Sequence, residues 1–262
     1  VIQPAIDQLT TQLYGVALTL PRIVAAFLML PLMTAQTVPP LVRNSFFVSL
    51  AIIAYPIAAA AAPLTQLNGV QWPFIIIKEL FIGLVLGFSF GSVFWAVGAA
   101  GNLVDAKVGS NLSGLLDPIQ GHQTSLTGAL LSQLAAWLFM ASGAFTIFLN
   151  LLLTSYRVWP VAQFLPQLAA SGQTFFIERF SDLMTLALLL SAPALVVTSL
   201  IDLSLGLINR YASQLNVFTL TLPIKAWVAT WIVLLSLGTI VQVVLQRLFD
   251  NKALLHILHR LM

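Results

Sequence analysis

The sequence contains no cysteine. Disulfides and thiolate metal sites are therefore excluded, and cysteine usage says nothing about the redox compartment. Charge is scarce as well: 11 lysines and arginines and 8 aspartates and glutamates make up 7% of 262 residues. A soluble domain carries about 25% charged residues. So few charges cannot solvate the surface of a chain this long. That points to an integral membrane protein or to a subunit covered on most sides by partners. The net charge of +3 is too small to argue for a nucleic-acid partner. No glycine-rich phosphate loop ends in Lys-Ser or Lys-Thr, and no Gly-x-Ser-x-Gly elbow is present. The histidines His122, His256 and His259 lack a carboxylate at ligand spacing, Asp250 being poorly placed for His256. No general-base partner for an aspartate can be argued either. The expectation is no catalytic residue, no metal and no cofactor.

What is present is hydrophobicity, at 59% of residues. A helical span needs about 20 apolar residues to cross a bilayer core. Six stretches approach or exceed that length, at roughly 13–35, 45–64, 74–103, 125–153, 183–208 and 217–247. Breakers separate them: Pro39-Pro40, Asn68-Gly69, and the Pro160, Pro166 and Gly172 series. The gap 154–182 carries Arg157, Glu178, Arg179 and Asp182 and reads as partly helical at an interface. Asp7 precedes the first apolar run without a basic segment, so that run is expected to be its own insertion signal. Placing both termini in the cytosol puts Arg157, Arg179, Arg247, Lys252 and Arg260 inside and Arg43, Lys107 and Arg210 outside. The basic end, which also holds His256 and His259, suits cytosol or an anionic membrane surface.

Several charges interrupt the apolar stretches. Arg22 follows Pro21, Lys78-Glu79 opens the third stretch, Asp202 lies in the fifth and Lys225 near the start of the sixth. A charge at bilayer depth costs about 2.5–3.5 kcal/mol, so these groups are expected to face protein or water. The third stretch also contains "GLVLGFSFG", with Gly83, Gly87 and Gly91 four apart and Gly98 following on the same face. Such a stripe lets another helix approach closely. Between the third and fourth stretches sits the densest polar cluster, "VDAKVGSNLSGLLDPIQGHQTS", Val104 to Ser125. By itself this reads as a loop between two spans. Lys107 could pair with Asp105, with Asp117 or with neither.

Two strings carry a family resemblance. "LSLGLINRYASQLNVFTLTLPIK", Leu203 to Lys225, resembles a signature of the flagellar and type III secretion export-gate subunits (FliR/SctT-like), carried here by Leu205, Gly206, Leu207, Ile208, Asn209, Arg210, Ala212, Gln214, Leu215, Asn216, Val217 and Phe218. The second is Gly101, Val104, Asp105, Lys107, Gly109, Asp117 and Pro118, in the family's order. Lys107 stands where flagellar members commonly have glutamine. With "SYRVWPV" after the fourth stretch, it tilts the resemblance toward a virulence-type system.

The resemblance implies an all-α membrane-associated fold: roughly six long apolar helices as bent helical hairpins, forming one subunit of a cone-shaped export gate partly raised above the bilayer of the bacterial inner membrane. Residues 1–182 would resemble the gate's five-copy subunit and residues 183–262 its four-copy subunit. Those two small membrane proteins are the expected partners, with an autocleaved specificity-switch membrane protein, a large export-ring membrane protein and transient unfolded substrates. The chain would be a conduit and not an enzyme. The segment at about 105–122 would plug the pore: Asp105, Lys107 and Asp117 anchor it, Gly109, Gly114 and Gly121 bend it, Leu112, Leu115 and Leu116 fill it, and Ser110, Asn111, Pro118, Gln120 and His122 complete it. Arg22, Lys78, Glu79, Asp202, Asn209, Arg210, Gln214 and Asn216 would serve subunit assembly. The competing expectation is a secondary transporter or ion channel with Arg22 and Asp202 as binding groups. A third, a structural nucleus for assembly, overlaps the gate.

Overall fold

In a computed structural model of the protein, residues 2–33, 38–61, 72–110, 125–163, 172–211 and 217–250 are described. Among them are seven α-helices and no strand: α1 Ile2–Leu28, α2 Pro40–Ala61, α3 Trp72–Val108, α4 Leu126–Ala141, α5 Ala144–Val158, α6 Gly172–Tyr211 and α7 Val217–Asp250. Four helices are long and apolar enough to cross a membrane: Pro40–Ala61, Trp72–Val108, Phe176–Tyr211 and Leu220–Asp250. A fifth is reached if α4 and α5 count as one broken span. The fold is thus all-α and of membrane type.

Two of the six apolar stretches differ from expectation. The first continues as helix only to Leu28, where a turn begins, and its apolar part Gln12–Leu28 is short for a span. The fourth is not one helix. It breaks at Ser142-Gly143, where Gly143 takes a left-handed φ of 79° that costs glycine no Cβ clash. Hydropathy alone runs through that break because the residues on both sides are apolar.

The chain forms two compact units, Val1–Gly91 with Ser142–Ile177 and Leu248–Met262, and Ser92–Ala141 with Glu178–Arg247. In the first, α1 and α2 make an antiparallel hairpin: Phe27 meets Phe46 and Phe47, Thr19 Oγ1 donates to the Ala51 carbonyl, and Gly15 lies against Tyr55. Phe148 of α5 packs edge-on to Phe27 and Phe90, a buried aromatic cluster joining α1, α3 and α5. α3 runs parallel to α1 along the glycine stripe. A Cβ on Gly83 would strike the Arg22 carbonyl and Ala25, one on Gly87 the Ala26 carbonyl and Met29, and one on Gly91 the Met29 carbonyl.

In the second unit the C-terminal half of α3 packs antiparallel to α4. Gly101 and Gly128 bring the two backbones together, Gly98 lies against Ser132, and Phe94 packs on Phe139. Gly98 therefore serves a different neighbour from the three glycines before it, although helical spacing puts all four on one face. α6 and α7 form a second antiparallel hairpin, with Asp202 opposite Lys225 and Asp182 opposite Arg247. Ala100, Val104, Leu131, Ala194 and Val233 contribute to the interior shared by these four helices.

Candidate functional site

The second unit holds the root of the polar insert. α3 does not stop before Asp105. It runs to Val108, so Asp105 and Lys107 stand on its last turns and not in the loop expected at 105–122. The ending is chemically defined. Gly109 has a φ of 89°, its N–H reaches the Ala106 carbonyl at 3.2 Å, and the Ser110 N–H reaches the Asp105 carbonyl at 3.1 Å. This is the left-handed glycine cap that satisfies a helix's last carbonyls. Ser110 Oγ adds a 2.8 Å bond to the same Asp105 carbonyl.

The side chain of Asp105, only 8% exposed, reaches across to the start of α4. Its Oδ2 accepts from Ser125 Oγ at 2.6 Å and from the Thr127 amide at 2.9 Å, and its Oδ1 accepts from Thr127 Oγ1 at 2.5 Å. Ser125 in turn caps α4 by accepting from the Gly128 amide at 2.8 Å. A carboxylate at a helix N-terminus is favoured by the unpaired amides and the helix dipole. One carboxylate thus closes the stem on both sides of the insert. Asn111, Leu112, Gly114, Leu115, Leu116, Asp117, Pro118, Gln120, Gly121 and His122 lie outside the described residues.

Lys107 does not pair with Asp105. Its Nζ lies 3.0 Å from Asp202 Oδ2 on α6. The other Asp202 oxygen takes Lys225 Nζ of α7, also at 3.0 Å, and Lys225 donates further to the Lys107 carbonyl at 3.3 Å. Lys225 therefore also serves a C-terminal carbonyl of α3. Among the sequence-singled residues, Lys107, Asp202 and Lys225 come together, and Asn209 and Arg210 stay apart from them, exposed on the last turn of α6. Gln214 and Asn216 lie outside the described residues.

The first unit contains the other charged group. Arg22 is fully buried, and its Nε and Nη2 form a two-point bond with Glu79 at 2.7 and 2.9 Å. Nη1 donates to Ser155 Oγ at 2.9 Å and Nη2 to the Trp159 carbonyl at 2.8 Å. The Tyr156 ring lies 4.1 Å from the guanidinium carbon, and its hydroxyl donates to the Thr19 carbonyl at 2.7 Å. Lys78 bonds Glu79 at 2.9 Å and the carbonyls of Pro160, Val161 and Gln163 at 3.0, 2.9 and 3.0 Å. Arg22, Lys78 and Glu79 were expected against neighbouring subunits. Within the chain they are buried, and backbone carbonyls after α5 accept from Arg22 and Lys78. Four of the five N–H donors of Arg22 are engaged here.

Sequence reasoning missed Ser125 and Thr127 as partners of Asp105, and Ser155, Tyr156 and the 159–163 carbonyls as partners of Arg22 and Lys78. The first pair had a signal, a small hydroxyl immediately before an apolar helical run. Backbone carbonyls carry none.

The chain is similar to the Yop proteins translocation protein T of Yersinia pestis, 38% identical over 225 residues that cover 86% of each chain. It is also similar to the secretion system apparatus protein SsaT of Salmonella typhimurium, 31% identical over 239 residues (88% of this chain and 89% of the relative). The flagellar biosynthetic protein FliR of Bacillus subtilis is 29% identical over 230 residues (87% and 88%). The sequence model for the bacterial export proteins, family 1, matches residues 13–251. With these helical hairpins and that near-complete match, the chain belongs to the bacterial export proteins, family 1.

Proposed function

We propose that the protein is a subunit of the inner-membrane export gate of a type III secretion system, and that the insert following α3 plugs its pore against leak. The observation that carries this reading is the Asp105 clamp. It ties the end of α3 to the start of α4, the two points between which the polar, glycine-containing segment lies in the sequence. An irregular polar segment is tolerated at membrane depth only inside protein or beside a water-filled cavity. Higher identity to the Yop translocation protein than to the flagellar relative supports a virulence-type machine.

The partners are the two small gate proteins, in about five and four copies, with the specificity-switch and export-ring proteins and unfolded substrates. In the assembled gate the chain sits partly above the bilayer plane, with residues 1–182 like one small partner and 183–262 like the other. Apolar side chains exposed on the α6–α7 hairpin, including Trp227 at 70% and Leu235 at 79%, suit a surface covered by lipid or by those partners. Asn209 and Arg210, with Gln214 and Asn216 beyond them, supply polar contacts to neighbouring subunits. The subunit conducts and does not catalyse.

The test is deletion of residues 111–121 in the complete gate, with small-solute leak measured across the membrane. Leak should rise while co-purification with the partner subunits persists. Intact assembly with wild-type leak would remove the plug role. A chain purifying alone, with saturable flux of one solute, would favour the transporter reading instead.

A further inference from the structure

The α6–α7 hairpin carries two cross-helix ion pairs, Asp202–Lys225 and Asp182–Arg247. Between them, residues 183–201 and 226–246 include no charged side chain. Each of those stretches is about 20 residues long, roughly 30 Å at 1.5 Å per residue, which matches the hydrocarbon core of a bilayer. The pairs therefore mark the two levels at which the hairpin meets lipid headgroups. They are not alike. Asp202 Oδ1 lies 3.0 Å from Lys225 Nζ, and Lys225 is only 11% exposed. Asp182 Oδ2 lies 3.9 Å from Arg247 Nη1, with the two side chains 50% and 42% exposed.

The looser pair borders a half-open cleft of about 20 Å³ that Arg179 also lines. Two guanidinium side chains and one carboxylate leave that cleft with a net positive charge at headgroup level. A cavity of this size admits about one oxygen-sized group. Guanidinium suits the oxygens of a phosphate, which it can bind at two points. Buried Val93, Leu183 and Leu186 complete an apolar part of the lining. Exposed Met184, Leu188 and Leu189 follow on α6 in the direction of the charge-free slab.

We propose that this cleft binds the phosphate of an anionic phospholipid, with Arg179 and Arg247 as the binding groups and Asp182 as the internal anion that competes for them. Acyl chains would lie along the exposed apolar side chains of α6, a surface that free phosphate would leave unused. The site goes beyond the export-gate reading and does not depend on it.

The test follows the thermal midpoint of the purified full chain in nonionic detergent. It is titrated with phosphatidylglycerol, with phosphatidylcholine of the same acyl chains, and with inorganic phosphate. A ligand that binds only the folded state raises the midpoint as it saturates its site. Phosphatidylglycerol should do so, and the other two should not. Arg179→Gln and Arg247→Gln should each weaken the apparent affinity about fivefold, the worth of one basic residue at an anionic lipid surface. Arg157→Gln removes an exposed arginine of the other unit and should leave the titration unchanged. Asp182→Asn should shift it the opposite way, to saturation at less phosphatidylglycerol. Its own pair is long and exposed, so the fold loses little with it. That gain is not expected of a structural role, and it keeps the test decisive if an arginine variant fails to fold.

Equal responses to phosphatidylglycerol and phosphatidylcholine overturn the proposal. So does a phosphatidylglycerol response that persists unweakened in both arginine variants, or an unshifted titration in Asp182→Asn. A response to inorganic phosphate as large as that to phosphatidylglycerol overturns the lipid assignment. A loss in Arg157→Gln equal to that in the cleft variants overturns it too, since any surface cation would then serve.

Discussion

Each unit of the protein binds two cations with one carboxylate, and the two clusters are built for opposite ends. In the first, Arg22 and Lys78 share Glu79 out of contact with solvent, with exposures of 0% for Arg22 and Glu79 and 6% for Lys78. Ser155, the Trp159 carbonyl and three further carbonyls accept further bonds from the two cations. In the second, Lys107 and Lys225 share Asp202 at comparable distances, but two of the three groups are one-third exposed. A buried charge cannot be left unpaired without a large penalty, whereas an exposed one can return to water. The same stoichiometry therefore makes a permanent joint in one place and a releasable one in the other.

The strongest way to break that contrast is to remove the buried carboxylate. Glu79→Gln leaves Arg22 and Lys78 facing each other without a counter-charge. Breaking a buried pair from one side costs about 3–5 kcal/mol. The thermal midpoint of the purified protein in detergent should fall sharply, and less protein should accumulate in the membrane. Lys107→Met, measured the same way, should stay within about 1 kcal/mol of wild type. Equal losses in the two variants would erase the distinction between a fixed and a releasable joint.

Which parts were legible in the sequence follows from what local spacing can encode. Glycines four residues apart announce a helix contact, and Gly83, Gly87 and Gly91 do make one with α1. Charges inside apolar runs announce protein partners, and Arg22, Lys78 and Glu79 find them. Which partners was not legible, because Arg22 and Glu79 are 57 residues apart and the other acceptors are mostly main-chain carbonyls. The end of α3 was misplaced for a different reason. Polar residues at 105 and 107 resemble the start of a loop, but each has a partner in a neighbouring helix that keeps it in the helix. Gly109 was the true stop signal, through its left-handed cap. The break inside the fourth apolar stretch falls at Ser142-Gly143, two residues that leave the average hydropathy nearly untouched.

A second substitution tests how the buried joint is held in register. Gly83 lies one turn beyond Glu79 on the same face of α3, and its missing side chain admits the Arg22 carbonyl. Gly83→Val should push α1 away just where Arg22 must reach Glu79. Overpacking of a filled contact costs about 1–3 kcal/mol, read as a lower thermal midpoint. Gly238 is the control: it lies on α7 with open space where a Cβ would stand, so Gly238→Ala should be neutral or slightly stabilising. A neutral Gly83→Val would mean that the close approach of α1 and α3 does not hold the charge cluster together.

The smallest effect belongs to the stem of the insert, and it separates two kinds of helix start. α4 begins under a side-chain cap, with Ser125 bonded to the Gly128 amide and Asp105 to the Thr127 amide. α5 begins at Gly143, which offers no side-chain cap. Asp105→Ala removes a carboxylate from the α4 start, a loss of about 1 kcal/mol for a helix-capping group. Global melting should move little. Hydrogen exchange at the Thr127 amide should accelerate several-fold, while the amides at the start of α5 keep their rates. Because Asp105 also receives Ser125 and Thr127 hydroxyls, the insert's two ends should separate more often, and leak should rise modestly. If exchange at Thr127 stays slow in Asp105→Ala, the α4 cap is held by Ser125 alone, and the carboxylate is not what closes the stem.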